Sequence, residues 1–500
     1  MDAHREDLAT QVRHGLAWSS INTLVLKLGT FAMGIVLARL LAPEQFGVFA
    51  VALTVQLVLM SLADLGMTAD LVRSPDPARL APTIATLGLA TGAMLTTTLA
   101  LSAQGLADVL GSPGAGPVIA VMAASLLLAG AGVVPYAALQ RRFAQKKLFI
   151  ISIADFVVGS GLTVLLVLSG LGVMALALGR LAAQLVTLVL QFILSGERVR
   201  PGFDRKIAPE VLAFGLPVAA ANVLSWALLN VDNVVISRVA GPVALGFYFL
   251  AFNVSNWPMS ALGQVVRSIS IPAFSRVADG RSDKSLSAML GPLWAVSLLA
   301  GLMLAVLSSP LIELVYGSRW LPAAAILAWL GIFGALRTLF DLAASYLLAR
   351  GAAKATLVVQ ILWITGLLPA AVLGMLFSGT TAVAAAHLAA AILVVCPAYA
   401  VALHRAGADV TSLVAKIWPP LAAAVPAAGV SLGVMTLTPT PLTALLAGGA
   451  SGGCIYILLL FRWFRQHVRI AGAMLPRGET PINPHHAADQ SLAAPSGGMS

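Results

Sequence analysis

Apolar runs of about 20 residues, separated by short clusters of charge, proline and glycine, recur along nearly the whole chain. That is the length an α-helix needs to cross a hydrocarbon core of roughly 30 Å at about 1.5 Å per residue. The runs predict helices near 15 to 38, 46 to 68, 82 to 104, 117 to 138, 148 to 169, 172 to 194 and 212 to 237. Seven more are predicted near 243 to 265, 287 to 309, 322 to 348, 355 to 377, 381 to 403, 413 to 435 and 442 to 461. The expected fold is all-α and integral to the membrane, with about 14 transmembrane helices and both termini on one side. The first run, from Gly15, is long and lacks a small-residue cleavage site, so it reads as a retained helix and not a signal peptide.

Composition agrees with the pattern. Of 500 residues, 59% are apolar and only 10% charged, which rules out a soluble enzyme of this length. The net charge of +10 would suggest a nucleic-acid partner in a soluble chain, but here the placement of the cations explains it. With a cytoplasmic N-terminus, 24 of the 30 Lys and Arg residues fall in cytoplasmic segments, among them Arg141, Arg142, Lys146, Lys147, Arg350 and Lys354. Only Arg39, Arg238 and Arg319 fall outside. Nucleic acid is therefore not an expected partner, whereas membrane lipids are. Cys396 and Cys454 both lie inside apolar runs, so neither a disulfide framework nor a Cys-based metal site is available. The segment after Pro476 has no apolar periodicity and is expected to be disordered.

The chain resembles itself. At an offset of 199, Arg39, Pro43, Gly47 and Ala52 fall on Arg238, Pro242, Gly246 and Ala251. At an offset of 208, Lys146, Ala182 and Ala183 fall on Lys354, Ala390 and Ala391. Two six-helix lobes are expected, over 1–194 and 212–403, joined by a cytoplasmic linker at 195–211. Two further spans over 404–461 and a basic tail over 462–500 follow. Lobes of six spans share one membrane orientation, and parallel repeats of this kind enclose a substrate path near the midplane.

The stretches LARLLAPEQFGVFAVAL (37–53), LADLGM (62–67), PYAALQRRF (135–143), FGLPVAAANVLSWALLNVDNVVISRVAGPVALGFYFLA (214–251) and VYGSRWLPAAAILAWLGIFGALR (315–337) carry a family likeness. Over roughly 10–400 the chain resembles Wzx-type polysaccharide flippases, in the superfamily that also holds the MATE multidrug transporters. The resemblance implies a V-shaped pair of lobes and alternating access in a bacterial cytoplasmic membrane. It also implies a cargo of lipid-linked oligosaccharide on an undecaprenyl pyrophosphate carrier, and a polysaccharide polymerase and export machinery as partners. The last two predicted spans carry no stretch that matches the family.

Seven ionisable side chains fall inside predicted spans: Lys27, Arg180, Arg337, Asp64, Asp155, Asp232 and Asp341. Each costs about 2.5 to 3.5 kcal/mol at the bilayer centre and so needs a partner or a wet cavity. Lys27 shares a helix face with Ser20, Thr23, Thr30 and Gly34. It reads either as a cation that meets a pyrophosphate or as the partner of a buried carboxylate. The seventh predicted span bears Asn222, Ser225, Trp226, Asn230, Asp232, Asn233 and Ser237 within one broad arc. The eighth bears Asn253, Asn256, Ser260 and Gln264 on a narrow face. Amides and hydroxyls both donate and accept, as sugar hydroxyls require, and Trp226 or Trp257 can stack on a sugar ring. Candidate substrate residues are therefore Lys27, Asn222, Trp226, Asn233, Asn253, Asn256, Arg180 and Arg337.

Arg337 and Asp341 are four apart, within reach of an intrahelical ion pair. Asp232 and Asp341 are the candidates for coupling to a proton or sodium gradient, while Asp64 and Asp155, near span ends, suit capping or loop pairing. Arg39 and Arg238 are expected to snorkel outward from a structural turn. His387 reads as a packing residue. The chain has no Walker A sequence and no HExxH, and no cofactor is expected. Catalysis at the outer face would need clustered acids, but Glu44, Asp108 and Glu313 are far apart in sequence. Among transporters, a peptidoglycan-precursor flippase and a multidrug antiporter are the alternatives; cationic spans favour an anionic cargo over a cationic drug.

Overall fold

The computed structural model describes residues 26–197, 200–275 and 283–474, and every regular element among them is helical. The predicted first span begins, and the tail after Pro476 lies, outside the described residues. The elements are α1 over 26–40, α2 (Pro43–Asp64), α3 (Met67–Arg73), α4 (Pro77–Val109), α5 (Gly116–Arg141), α6 (Gln145–Leu168) and α7 (Val173–Ser195). The second half comprises α8 (Ile207–Leu229), α9 (Val231–Ser275), α10 (Asp283–Val306), α11 (Ser308–Tyr316), α12 (Pro322–Ala349), α13 (Ala353–Ser378), α14 (Thr380–Arg405), α15 (Val410–Thr436) and α16 (Pro441–His467). The helix starts follow local chemistry. Proline, which has no N–H to lose, opens α2, α4 and α12. Asp76 and Asp409 cap α4 and α15 by accepting from the backbone N–H of Arg79 and Thr411. Hydrogen bonds from the Thr411 hydroxyl and the Ser412 N–H hold the Asp409 carboxyl below its usual pKa.

Twelve helices among the described residues are long and apolar enough to cross a membrane. The expectation of fourteen differs at two places. The span at 15–38 begins outside the described residues, and the span at 212–237 is divided by the structure. A turn at Asn230 separates α8 from α9, where the Asn230 amide donates to the Trp226 carbonyl at 2.8 Å. Within α9 the backbone breaks again at Gly241 (φ 78°, ψ −178°), a conformation open to glycine and closed to most other residues. Pro242, without an N–H, starts the next helical segment.

The bundle has two ends. One carries the turns at 41–42, 110–115 and 241–242, here called the turn end; the other carries Arg141, Lys147, Lys354 and Arg405, the basic end. At the turn end the internal repeat becomes a physical contact. A Cβ on Gly47 would lie inside the van der Waals shell of the Pro242 carbonyl oxygen, and one on Gly246 inside that of Pro43. These four residues are two pairs at the offset of 199, so residue i of one copy meets j of the other and the reverse, as a two-fold relation requires. Hydrogen bonds also join the two halves further out. Ser237 Oγ donates to the Leu110 carbonyl at 2.6 Å, and Arg39 Nε to the Val315 carbonyl at 2.8 Å. Trp320, fully buried, donates to the Ala38 carbonyl at 2.8 Å, and Arg319 Nη2 reaches the same oxygen at 2.7 Å. Arg39 therefore does not snorkel free: its guanidinium caps the carbonyl end of α11 in the opposite lobe.

At the basic end α8 docks on the first half of the chain. Gly66 and Gly215 allow close approach of the α2–α3 turn to α8, and Arg73 lies 3.6 Å above the Phe214 ring. Leu65, Met67, Leu71, Ile84, Ile207 and Val211 form a separate apolar cluster there. Asp64 accepts from the Thr68 N–H and hydroxyl, the capping role expected of it.

Candidate functional site

Between the two halves, α1 and α9 enclose a cavity of about 340 Å³. Lys27, Thr30 and Gly34 line it from α1; Asn253, Asn256, Trp257 and Ser260 line it from α9. The two polar faces read from the sequence are thus opposed across one space. Phe31 stacks on Trp257 at 4.8 Å, and the Trp257 indole N–H donates to the Lys27 carbonyl at 3.2 Å, which fixes the two helices side by side. Lys27 is half-buried in this wall. Asn253 gives its amide N–H to the Phe249 carbonyl at 2.7 Å. Its acceptor oxygen stays available in that bond, since only the amide nitrogen is used.

A second, larger cavity of about 820 Å³ opens in the basic-end half of the first lobe, among α1, α5, α6 and α7. Thr30 and Phe156 line both cavities, so the two adjoin. Arg180 belongs to this second space, 3.9 Å from Asp155, whose other carboxylate oxygen accepts from Thr187 at 2.9 Å. Asp155 is therefore an inter-helix partner within the lobe, neither a helix cap nor a loop contact. Tyr136, Gln140, Gln145 and Gln191 complete the polar part of the wall.

Asp232 lies elsewhere, buried at the start of α9 with 5% of its surface exposed. Tyr248 donates to its Oδ2 at 2.6 Å, and His387 Nε2 stands 3.7 Å from the same oxygen. His387 Nδ1 is 3.0 Å from the Val383 carbonyl, which can only accept, so Nδ1 carries the hydrogen. A proton is then needed on Nε2 or on Asp232 for the two to attract. His387, expected to be a packing residue, is thus the third member of a buried polar cluster. The signal was available in the sequence only as a lone imidazole in an apolar run. Next to the cluster, Asn233 donates to Thr54 on α2 at 3.2 Å, across the seam between the halves.

The remaining candidates are not gathered at these cavities. Asn222 and Trp226 are exposed on α8 and line neither space. Arg337 and Asp341 are half-buried on α12 and line neither cavity. The broad arc of the seventh predicted span therefore splits in function, because the turn at Asn230 changes the face that follows it.

Comparison with known proteins agrees with this architecture. The family model for polysaccharide biosynthesis proteins matches residues 36–325. Lipopolysaccharide biosynthesis protein WzxC of Escherichia coli is 24% identical over 425 residues, covering 83% of this chain and 86% of that protein. Succinoglycan biosynthesis transport protein ExoT of Rhizobium meliloti is 28% identical over 331 residues, 65% of this chain and 66% of its own length. Among solved structures, the lipid II flippase MurJ in an inward closed conformation superposes with a TM-score of 0.71 at 15% identity, covering 91% of this chain and all of MurJ. An inward-facing multidrug transporter of the MATE family gives 0.60 at 17% identity, covering 78% of this chain and 98% of that one. At such identities these two likenesses carry the fold alone, and the family model carries the family.

Proposed function

The chain belongs to the polysaccharide biosynthesis protein family, and from that premise we propose that it is a flippase for lipid-linked oligosaccharide. It moves repeat units on an undecaprenyl pyrophosphate carrier across the bacterial cytoplasmic membrane by alternating access, so that surface polysaccharide can be assembled outside. The observation that carries this reading is the cavity between α1 and α9. A lysine stands there opposite two asparagines and a tryptophan, a wall chemically matched to an anionic pyrophosphate joined to sugars. The protein acts by binding and conformational change, not by catalysis. Its lobes meet at the turn end through the exchanged glycine contacts and through the Arg39 and Trp320 hydrogen bonds, which supports loading from the basic end.

The cation asymmetry supports a cytoplasmic basic end with both termini on that side. Asp232, held by Tyr248 and near His387, is the place where a proton or sodium gradient would couple to transport. Its neighbour Asn233 crosses the seam to Thr54, so a change of charge at Asp232 would reach the lobe interface directly. Asp341, Arg337 and Asn233 remain contributors to the transport path in this reading, and the polymerase and export machinery are its downstream partners.

The test is genetic and chemical. Deleting the gene in its host should abolish surface polysaccharide and leave repeat-unit-loaded carrier in the membrane, and the intact gene should restore both. Normal surface polysaccharide in the deletion strain, with no accumulated carrier, would refute the proposal.

A further inference from the structure

The cavity inside the first lobe has a polar wall toward the basic end. Gln191 is only 8% exposed, yet its side chain makes no hydrogen bond among the described residues while it lines the space. Tyr136, Gln140 and Gln145 line the same wall, and none of their side chains is hydrogen-bonded among the described residues. The polar atoms of these side chains open onto the cavity, where a ligand or water can complete them. Four uncommitted polar side chains on one wall therefore point to a polar occupant.

The charges define its class. Arg141 donates to the backbone carbonyls of Leu71 and Ser74, and Arg180 faces Asp155. Both cations of the wall thus have partners within the protein. What remains is amides and a phenol, each able to donate and to accept, which is the complement of sugar hydroxyls. The volume of about 820 Å³ lies in the upper part of the range for small-molecule sites and leaves room for more than one sugar ring. The space also adjoins the Lys27 cavity through Thr30 and Phe156, so a pyrophosphate in one and its sugars in the other can belong to one molecule.

We propose that the first-lobe cavity is the carbohydrate subsite, which receives the distal sugars of the repeat unit and reads them through Gln140, Gln191 and Tyr136. This rests on the flippase reading and adds where glycan discrimination occurs. The sequence pattern had placed the sugars along the seventh and eighth predicted spans; the subsite instead draws on α5, α6 and α7.

The experiment uses the full chain in proteoliposomes with two probes. One is undecaprenyl pyrophosphate bearing the host's complete repeat unit; the other is the same carrier bearing only the first sugar. Gln191→Leu and Gln140→Leu should each slow transfer of the complete unit by about tenfold, as one unreplaced hydrogen bond predicts, and leave the single-sugar carrier unaffected. Gln140, at the more open part of the wall, decides the matter if Gln191→Leu accumulates poorly. Equal losses for both probes, or no loss for either, would overturn the subsite. If the unaltered protein moves neither probe, the flippase proposal itself falls, and the subsite with it.

Discussion

Replacing Gly47 by alanine tests whether the exchanged glycine contact holds the lobes together at the turn end. The new Cβ would collide with the Pro242 carbonyl oxygen, a backbone atom that cannot rotate away. Overpacking of this kind costs about 1 to 3 kcal/mol. The contact joins the two repeats and exists only while that end is closed, so the cost falls on the closed state and spares a state in which the lobes part. A bias of that size shifts a two-state equilibrium about 5- to 150-fold. Gly246→Ala, which would strike the Pro43 carbonyl oxygen, should act in the same direction. Gly161→Ala is the control, since a Cβ there meets nothing within 4 Å. The assay is an electron-spin distance measurement between labels at Val109 and Val239, both exposed at the turn end, after removal of Cys396 and Cys454. The unaltered protein should show a short distance, and Gly47→Ala a population moved to longer ones. An unchanged distribution in Gly47→Ala, or an equal shift in Gly161→Ala, would refute the reasoning.

Other outcomes follow from the same structure. Asn253→Leu should impair export with normal membrane abundance, whereas Asn222→Leu, on an exposed position away from both cavities, should leave export intact; the reverse order would remove the α1–α9 cavity from the path. Asp232→Asn keeps an acceptor for Tyr248 but no negative charge, so the protein should accumulate normally while gradient-driven transport is lost; Asp232→Ala strands the Tyr248 and His387 groups and should lower abundance through a cost of about 1 to 3 kcal/mol. Full gradient-driven transport by Asp232→Asn would dismiss the coupling role. Cysteines at 108 and 171 should react with an impermeant thiol reagent in intact cells and cysteines at 144 and 203 should not, and labelling at either of the latter would invert the orientation.

The sequence revealed the helices and the repeat because both are written in single-residue patterns: apolar length for the spans, and Arg, Pro and Gly at one offset for the turn. It also singled out Lys27 and the Asn253 and Asn256 face as candidates, each on its own helix, since polar groups in a membrane need polar neighbours. What it could not supply is which helices are neighbours. Asn222 and Asn253 have the same chemistry, but α8 turns one outward and α9 turns the other into a cavity. Likewise the turn at Asn230 is one residue long, too short to disturb an apolar run. Asp155 and Arg180 lie in different spans, and His387 is far from Asp232 along the chain, so only the packing joins them. The first-lobe subsite was missed for the same reason: its glutamines are scattered singly over α5, α6 and α7, and no one helix displays a stripe.

The most direct test of the account is transfer of repeat-unit-loaded undecaprenyl pyrophosphate across proteoliposomes by three forms of the protein: unaltered, Lys27→Ala and Lys27→Arg. Lys27 stands in the wall shared by both halves of the transporter, where the account puts the pyrophosphate. Lys27→Ala should reach normal abundance, because removing a central cation relieves about 2.5 to 3.5 kcal/mol of insertion cost, and should lose transport. Lys27→Arg, with charge kept and shape changed, should retain part of it. A normally abundant Lys27→Ala protein that carries the repeat unit at the unaltered rate would contradict the account.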